Sequence, residues 1–442
     1  MDLADPLIAT VDADGRLVLP AEVAERLGLR PGASVALDRE PDSLRLRRPV
    51  EHLAKVYVEP TSRCNLNCRT CIRHAWEGPL GDMSDAIFAR LLEGLAAFDY
   101  LPTVFFGGFG EPLAHPQIVE MVARVRSLGA FQVELITNGC LLSEQMSRGL
   151  LEAGLDMLWV SLDGIKPERY SDVRLGASLP EVLENLAAFK AVRRERQLAH
   201  LSPEERRRFE AGIPGLRDSW RLPEPTPGLG VVFVAMRGNI RDLPGAVAET
   251  YRFGVRRFVV SNVLPYTTQL AEEMLYQRQL DISPFPTLWS ERLRLPRMDI
   301  DESTRLALYA AVHSYESGLA DDDVSNITRR CPFVEAGSTA INWRGDVAPC
   351  LSLMHSHDEI FDGRRRRVEA YMYGNLAEVS LPRAWLDPEY VAFRRRVQAF
   401  EFGPCLTCKR CSLPESNQQD CLQEDGPVCG ACLWSQGVIQ CP

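Results

Sequence analysis

The chain has 442 residues, 45% of them hydrophobic and 25% charged, with 50 basic against 60 acidic side chains for a net charge of −10. This composition excludes wholesale disorder, leaves room for about three domains of ~150 residues each, and offers no general attraction to nucleic acid or anionic lipid. No run approaches the ~20 apolar residues of a membrane span, and Met1 to Asp5 lack the basic and apolar stretches of a secretory signal. A cytoplasmic location is therefore expected. A reducing compartment disfavours disulfides, so the 13 cysteines need another explanation. Three stand at positions 64, 68 and 71, one at 140, and nine between 331 and 441. Such clustering points to metal binding.

Residues 1–50 are expected to form a unit of their own. Short β-rich runs (Leu7 to Val11, Arg16 to Leu19, Ser34 to Leu37, Ser43 to Leu46) surround a helical stretch from Ala21 to Leu27, with turn signals at Asp14-Gly15 and Pro31-Gly32. The string DADGRLVLPAEVAERLGLRPGASVAL resembles the AbrB-like swapped-hairpin family of bacterial transition regulators and antitoxins. That resemblance implies a dimerising fold that often binds DNA. Here nine acidic residues outnumber seven arginines, whereas phosphate-driven binding needs a positive excess. A homodimer or docking role is expected, and nucleic acid is not.

From residue 53 to 265 short apolar runs alternate with amphipathic stretches, which predicts a parallel sheet with crossover helices. Strands are predicted at Lys55 to Glu59, Thr103 to Gly107, Gln132 to Thr137, Met157 to Ser161, Gly230 to Met236 and Arg257 to Asn262. Helices are predicted at Ser84 to Phe98, Pro116 to Leu128, Ser143 to Ala153, Leu179 to Val192 and Leu243 to Phe253. Six such units make an α/β fold, a partial (β/α)6 TIM-like barrel. The stretch from Lys190 to Arg221, with nine basic and five acidic residues, reads as a solvated helical insertion. Residues 266–330 form a connecting region, helical in part from Glu302 to Ser317. Residues 331–442 are rich in Cys, Gly and Pro, with an apolar core expected to be thin and supplemented by bound clusters.

Cys64, Cys68 and Cys71 lie in VEPTSRCNLNCRTC, directly after the first predicted strand. Three thiolates on one loop can hold three corners of a four-iron four-sulfur cluster and leave one iron open, whereas structural zinc and ferredoxin sites use a fourth protein ligand. The spacing at this point of a barrel resembles the radical S-adenosylmethionine (SAM) superfamily. Further strand-end segments agree in order. Gly107-Gly108-Phe109-Gly110-Glu111-Pro112 resembles the family segment against the methionyl amino group, and Ser161-Leu162-Asp163-Gly164 the segment that meets the ribose. Asn138, in Thr137-Asn138-Gly139, completes the run, and Arg174 is expected to clamp the methionyl carboxylate. Thr70 departs from the aromatic residue common in the family. The resemblance implies reductive cleavage of SAM to a 5′-deoxyadenosyl radical, driven by a low-potential donor such as ferredoxin or flavodoxin.

In CPFVEAGSTAINWRGDVAPC, Cys331 is followed by thirteen residues, Gly345, four residues and Cys350, which resembles the opening of the SPASM extension of radical SAM maturases. Cys405, Cys408, Cys411, Cys421, Cys429, Cys432 and Cys441 follow. Nine thiols suffice for two auxiliary iron-sulfur clusters with one spare, while zinc stays open for one site. Cys140 reads as an inert core thiol, and His355 and His357 as hydrogen-bonded loop histidines. The closing string GPVCGACLWSQGVIQCP, together with the N-terminal unit, resembles the radical SAM maturases associated with tungsten-cofactor oxidoreductases. A tungsten oxidoreductase or its precursor is then the expected substrate. The alternatives are modification of a peptide or protein side chain and an iron-sulfur-sensing DNA-binding regulator.

Overall fold

The computed structural model describes residues 9–30, 35, 37–39, 44–76, 78–199, 207, 226–277, 287–288, 293–314, 324–325, 330–361, 363–403, 405, 411–422 and 426–442. Most of the predicted insertion beyond Ala199, and Cys408, lie outside the described residues.

In the N-terminal unit, strands β1 (Thr10–Val11) and β2 (Leu17–Val18) pair antiparallel, as do β3 (Leu37–Arg39) and β4 (Leu44–Leu46), with a helix at Ala21–Arg26 between the hairpins. The first turn is held by Asp12, whose carboxylate accepts from the N–H groups of Asp14 (3.0 Å) and Arg16 (2.8 Å).

The six predicted strands all form: β5 (Lys55–Val58), β6 (Thr103–Phe106), β7 (Val133–Thr137), β8 (Met157–Ser161), β9 (Gly228–Ala235) and β10 (Arg257–Asn262). Each pairs in parallel with the next, in register Val56↔Val104, Phe105↔Glu134, Leu135↔Leu158, Trp159↔Gly230 and Val231↔Phe258. Burial on both faces explains their nearly continuous apolar runs. The predicted helices stand at Asp85–Ala96, Ile118–Ser127, Glu144–Glu152, Leu179–Ala199 and Leu243–Tyr251. Ser84 and Ser143 cap the first and third by accepting from the N–H groups of Ile87 and Met146. A further helix, Pro167–Val173, was not predicted, being short and started by proline at its first turn.

The sheet is wider than six strands. Beyond β10 it continues with β11 (Leu293–Arg294); beyond β5 lies β12 (Ser338–Ile341), parallel in register Thr339↔Val56, followed by β13 (Val347–Ala348), antiparallel to β12. The C-terminal region therefore shares the barrel's sheet. It also shares its core, because Phe333, Ile341, Leu381, Trp385, Tyr390, Val397, Trp434 and Ile439 are buried in one cluster with the barrel's residues. The expectation of a thin core is corrected: the apolar side chains are present but spread between Cys-rich turns, so no local period reveals them.

Residues 437–442 bridge the two outer strands of the barrel. Asn262 donates to the Val438 carbonyl and the Gln440 N–H to Ser261 on the β10 side, and on β5 the Pro442 carbonyl accepts from Lys55 (3.2 Å) and Tyr57 (2.9 Å). Lys55 also meets Glu134 at 3.3 Å, and Glu134 accepts from Trp159, so these side chains occupy the inner face of the sheet. Alternation then places Tyr57 and Glu59 on that face above Lys55. Among the described residues no helix is long and apolar enough to cross a membrane.

Candidate active site and auxiliary thiol groups

The loop carrying Cys64, Cys68 and Cys71 leaves β5 and is pinned at its base. Thr61 donates to Asp82 at 2.6 Å and accepts from the Arg63 N–H, while Ser62 accepts from the Gly81 N–H. Gly110 must be glycine because a Cβ there would stand 2.0 Å from the Thr61 carbonyl oxygen. Donors already surround the sulfurs. The Leu66 N–H reaches Cys64 Sγ at 3.4 Å, Asn138 Nδ2 reaches it at 3.7 Å, and Arg73 Nε reaches Cys71 Sγ at 3.3 Å. Burial pushes the Cys68 thiol up to about 11 against the opposing Arg174 charge, and burial likewise raises Cys64. Half-buried thiols met by N–H donors, with Cys64 and Cys68 resisting ionisation, fit a positively charged iron-sulfur group that would hold them as thiolates.

Glu111 is buried at the end of the β6 loop. Its carboxylate accepts from the Leu113 N–H (3.0 Å), Thr137 Oγ1 (2.7 Å) and the Asn138 N–H (2.7 Å), which ties the β6 and β7 loops together. Burial raises its pKa, and those three bonds with Arg174 oppose the rise. Asn138 also donates to Asn65 at 2.8 Å, so the cluster loop is tied to the same pair. Gly107 and Gly108 are close-approach positions, since a Cβ would meet Phe105 and Ile136 at the first and Glu59 at the second.

Ser161 ends β8, and Asp163 two residues on is fully buried. Its Oδ1 accepts from the Val234 N–H at 2.8 Å, and its Oδ2 stands 2.7 Å from Arg174. Arg174 is itself buried, and among the described residues its Nε meets no hydrogen-bond partner. Burial disfavours the guanidinium charge, but Asp163, Tyr170 and Cys68 outweigh it and raise the Arg174 pKa. The structure thus gathers Cys64, Cys68, Cys71, Glu111, Asn138, Asp163 and Arg174 at the strand ends where barrels place chemistry. The Asp163–Arg174 pair, the Arg73 donor and the Thr137 anchor escaped the sequence reading. No local pattern marks a partner eleven positions away across the helix Pro167–Val173, although Arg73, two residues beyond Cys71, was open to inspection.

The C-terminal thiols fall into groups. Cys331, Cys350, Cys429 and Cys432 line one cavity together with Phe393, Trp434 and the Glu359–Arg366 pair, which stands at 2.5 Å. Burial pushes the Cys331 thiol up to about 12 and raises the other three. Cys405 and Cys421 lie together, their sulfurs 3.5 and 2.9 Å from the point a Cβ on Gly403 would occupy; Cys411 is exposed nearby in sequence. Cys441 accepts from Trp434 Nε1 at 3.3 Å on the barrel side, close to Lys55. Cys140 is not a core thiol as expected: it is half-buried beside the site, with its N–H donating to Asn138. The described cysteines are all free thiols, and among the described residues no three His, Cys, Asp or Glu side chains are arranged around a single-ion position. The four-thiol cavity is instead a shared enclosure of soft donors, which suits a multi-iron group.

Residues 58–201 match the radical SAM superfamily, residues 331–412 the SPASM iron-sulfur cluster-binding domain, and residues 8–52 the antidote-toxin recognition protein MazE, a bacterial antitoxin. The chain is 29% identical over 393 residues, 88% of its length and 96% of the relative's, to the tungsten-containing aldehyde ferredoxin oxidoreductase cofactor-modifying protein of Pyrococcus furiosus. It is 35% identical over 138 residues, 30% of its length and 40% of the relative's, to GTP 3′,8-cyclase of Lactiplantibacillus plantarum. Among solved structures it is similar in fold to anSMEcpe with bound AdoMet (TM-score 0.51, 15% identity, 85% of this chain and 92% of that one). SuiB of Streptococcus suis bound to S-adenosylmethionine aligns with TM-score 0.50 and 14% identity over 81% of this chain and 71% of that one. The architecture is a MazE/AbrB-type swapped-hairpin domain, a radical SAM domain and a SPASM domain in one chain, and the protein is an enzyme of the radical SAM type.

Proposed function

We propose that this radical SAM/SPASM enzyme is a maturase of a tungsten-cofactor oxidoreductase of the aldehyde ferredoxin type, acting on that enzyme or its precursor. The observation that carries the reading is similarity to a cofactor-modifying relative over 88% of this chain and 96% of that relative. When bound at Cys64, Cys68 and Cys71, a four-iron four-sulfur cluster supplies the electron that cleaves SAM to a 5′-deoxyadenosyl radical. The chain's own residues orient the substrate. We assign Gly107, Gly108 and Glu111 to the methionyl amino group, Ser161 and Asp163 to the ribose, and Arg174 to the carboxylate, with Asn138 bracing the cluster loop. The unpartnered Arg174 Nε supports its part in this arrangement.

We assign Cys331, Cys350, Cys429 and Cys432 to one auxiliary cluster and Cys405, Cys408, Cys411 and Cys421 to the other, with Cys441 spare. Free thiols throughout the described residues fit a reducing cytoplasm, and a ferredoxin or flavodoxin is the fitting donor. Reduced protein given SAM should release 5′-deoxyadenosine. Adding tungsten oxidoreductase isolated from cells that lack this chain should raise that rate and restore aldehyde oxidation. Basal cleavage with no response to the oxidoreductase refutes this function and turns the search to peptide substrates.

The N-terminal hairpins expose the apolar side chains Val11 (69%), Leu17 (59%), Val18 (48%) and Leu37 (57%), Val11 and Leu17 facing each other across the first hairpin, and a second copy would cover them. We assign homodimerisation to it. Val18→Asp combined with Leu37→Asp should convert the dimer to a monomer by light scattering while leaving the iron content unchanged; a monomeric unmodified protein would refute the assignment.

A further inference from the structure

We infer that His355, from the C-terminal region, is a positioning residue for SAM: through Glu59 it fixes the Gly107 to Pro112 loop, so that affinity for SAM depends on how the C-terminal region is seated. This rests on the assignment of that loop to the methionyl end. Glu59 is completely buried, at the end of β5 and on the inner face of the barrel. Both of its oxygens are engaged. Oε1 accepts the Phe109 N–H at 3.1 Å, in the middle of the loop, and Oε2 stands 2.9 Å from His355 Nε2. The loop passes directly against this carboxylate, for a Cβ on Gly108 would lie 2.7 Å from Glu59 Cγ.

Aromatic contacts close the same group from the other side. The His355 ring stands 4.1 Å from that of Trp76, and Phe109 meets Trp76 edge-on at 5.6 Å and His355 at 5.9 Å. Trp76 belongs to the segment that follows Cys71, so the first strand, the cluster loop and the glycine loop converge on one histidine supplied from elsewhere. The Asp358 N–H donates to the Ala75 carbonyl at 3.2 Å, and His357 Nδ1 lies 2.9 Å from the His355 carbonyl, which hold the histidine segment in place. Cys350, of the four-thiol cavity, is five residues before His355 and joined to it by the single turn Leu351–Leu353.

The physical consequence follows from burial. Without His355, a buried carboxylate oxygen loses its partner, and Glu59 can recover one only by shifting, which drags the Phe109 backbone with it. Glu111 is two residues further on, and ligand placement on the scale of ~1 Å governs how well such a site works.

The test uses the full iron-loaded enzyme, SAM and dithionite, with no other substrate. His355→Ala and Glu59→Ala should each raise KM for SAM about tenfold, the scale of a lost hydrogen bond to a charged group, with kcat changed less than about threefold and iron content unchanged. Glu59→Gln should stay near the unmodified KM, because its amide oxygen can accept from Phe109 and its amide N–H can donate to His355. Cys350→Ala should raise KM in the same direction, with no further rise when combined with His355→Ala. An unchanged KM in iron-replete His355→Ala overturns the inference, as does a Glu59→Gln variant as impaired as Glu59→Ala. Glu111→Ala separates the two levels: if it leaves KM unchanged the loop assignment itself fails, whereas a raised KM there beside a normal KM in His355→Ala sinks only the role of the histidine.

Discussion

Cys68→Ala should reduce 5′-deoxyadenosine formation to background while the protein stays folded and retains its C-terminal iron. Within this loop Cys64 lies beside Glu111 and Asn138 and Cys68 faces Arg174, and a cubane held by two thiols and no substitute has lost a corner. Iron should fall by about four atoms from about twelve per chain, the content of three four-iron clusters. Alanine is the informative replacement, since a serine hydroxyl could still ligate. Cys140→Ala is the control: that side chain is half-buried outside the loop, and its backbone N–H, which survives the change, makes the bond to Asn138. SAM cleavage that persists in Cys68→Ala would remove the site from this loop.

Cys350→Ala and Cys429→Ala, 79 positions apart in the chain, should lose the same four irons. Both thiols line one cavity with Cys331 and Cys432, and burial raises all four above the ordinary thiol range, so that without a bound group they stand as neutral thiols. A bound cluster would convert that neutral set into four thiolates, and structural metal sites contribute on the order of 10 kcal/mol to the folds they hold together. Here the surrounding core is continuous with the barrel, so the variants should unfold earlier in their C-terminal region and keep the first cluster. Cys441→Ala should cost no iron, because its sulfur faces Trp434 and Lys55. Equal iron loss in Cys441→Ala and Cys429→Ala, or one bound zinc in place of four irons, would refute the grouping.

The barrel strands were legible because parallel strands buried on both faces need unbroken apolar runs such as those of β6 and β8, and the intervening helices carry their own serine caps. The Cys64 loop was legible for a similar reason: all three thiols lie within eight residues, and the spacing is itself the geometry. The N-terminal hairpins announced themselves through turn residues, with Asp12 holding the turn that Gly15 allows at φ 78°. Arg174 was singled out, but as a residue awaiting a ligand, and its engagement with Asp163 was not foreseen.

By itself, then, the sequence determined whatever is encoded within one segment: the β/α rhythm, the three-thiol loop, the glycine approaches and the surplus of C-terminal cysteines. Only the tertiary structure decided which distant groups meet. It joined β12 to β5, ran residues 437–442 from β10 to β5, put Cys350 with Cys429, and set His355 against Glu59. The physical reason is that periodicity and spacing report contacts between neighbours along the chain, whereas the partners of a buried thiol or carboxylate are fixed by how whole elements pack, at separations where no residue pattern repeats.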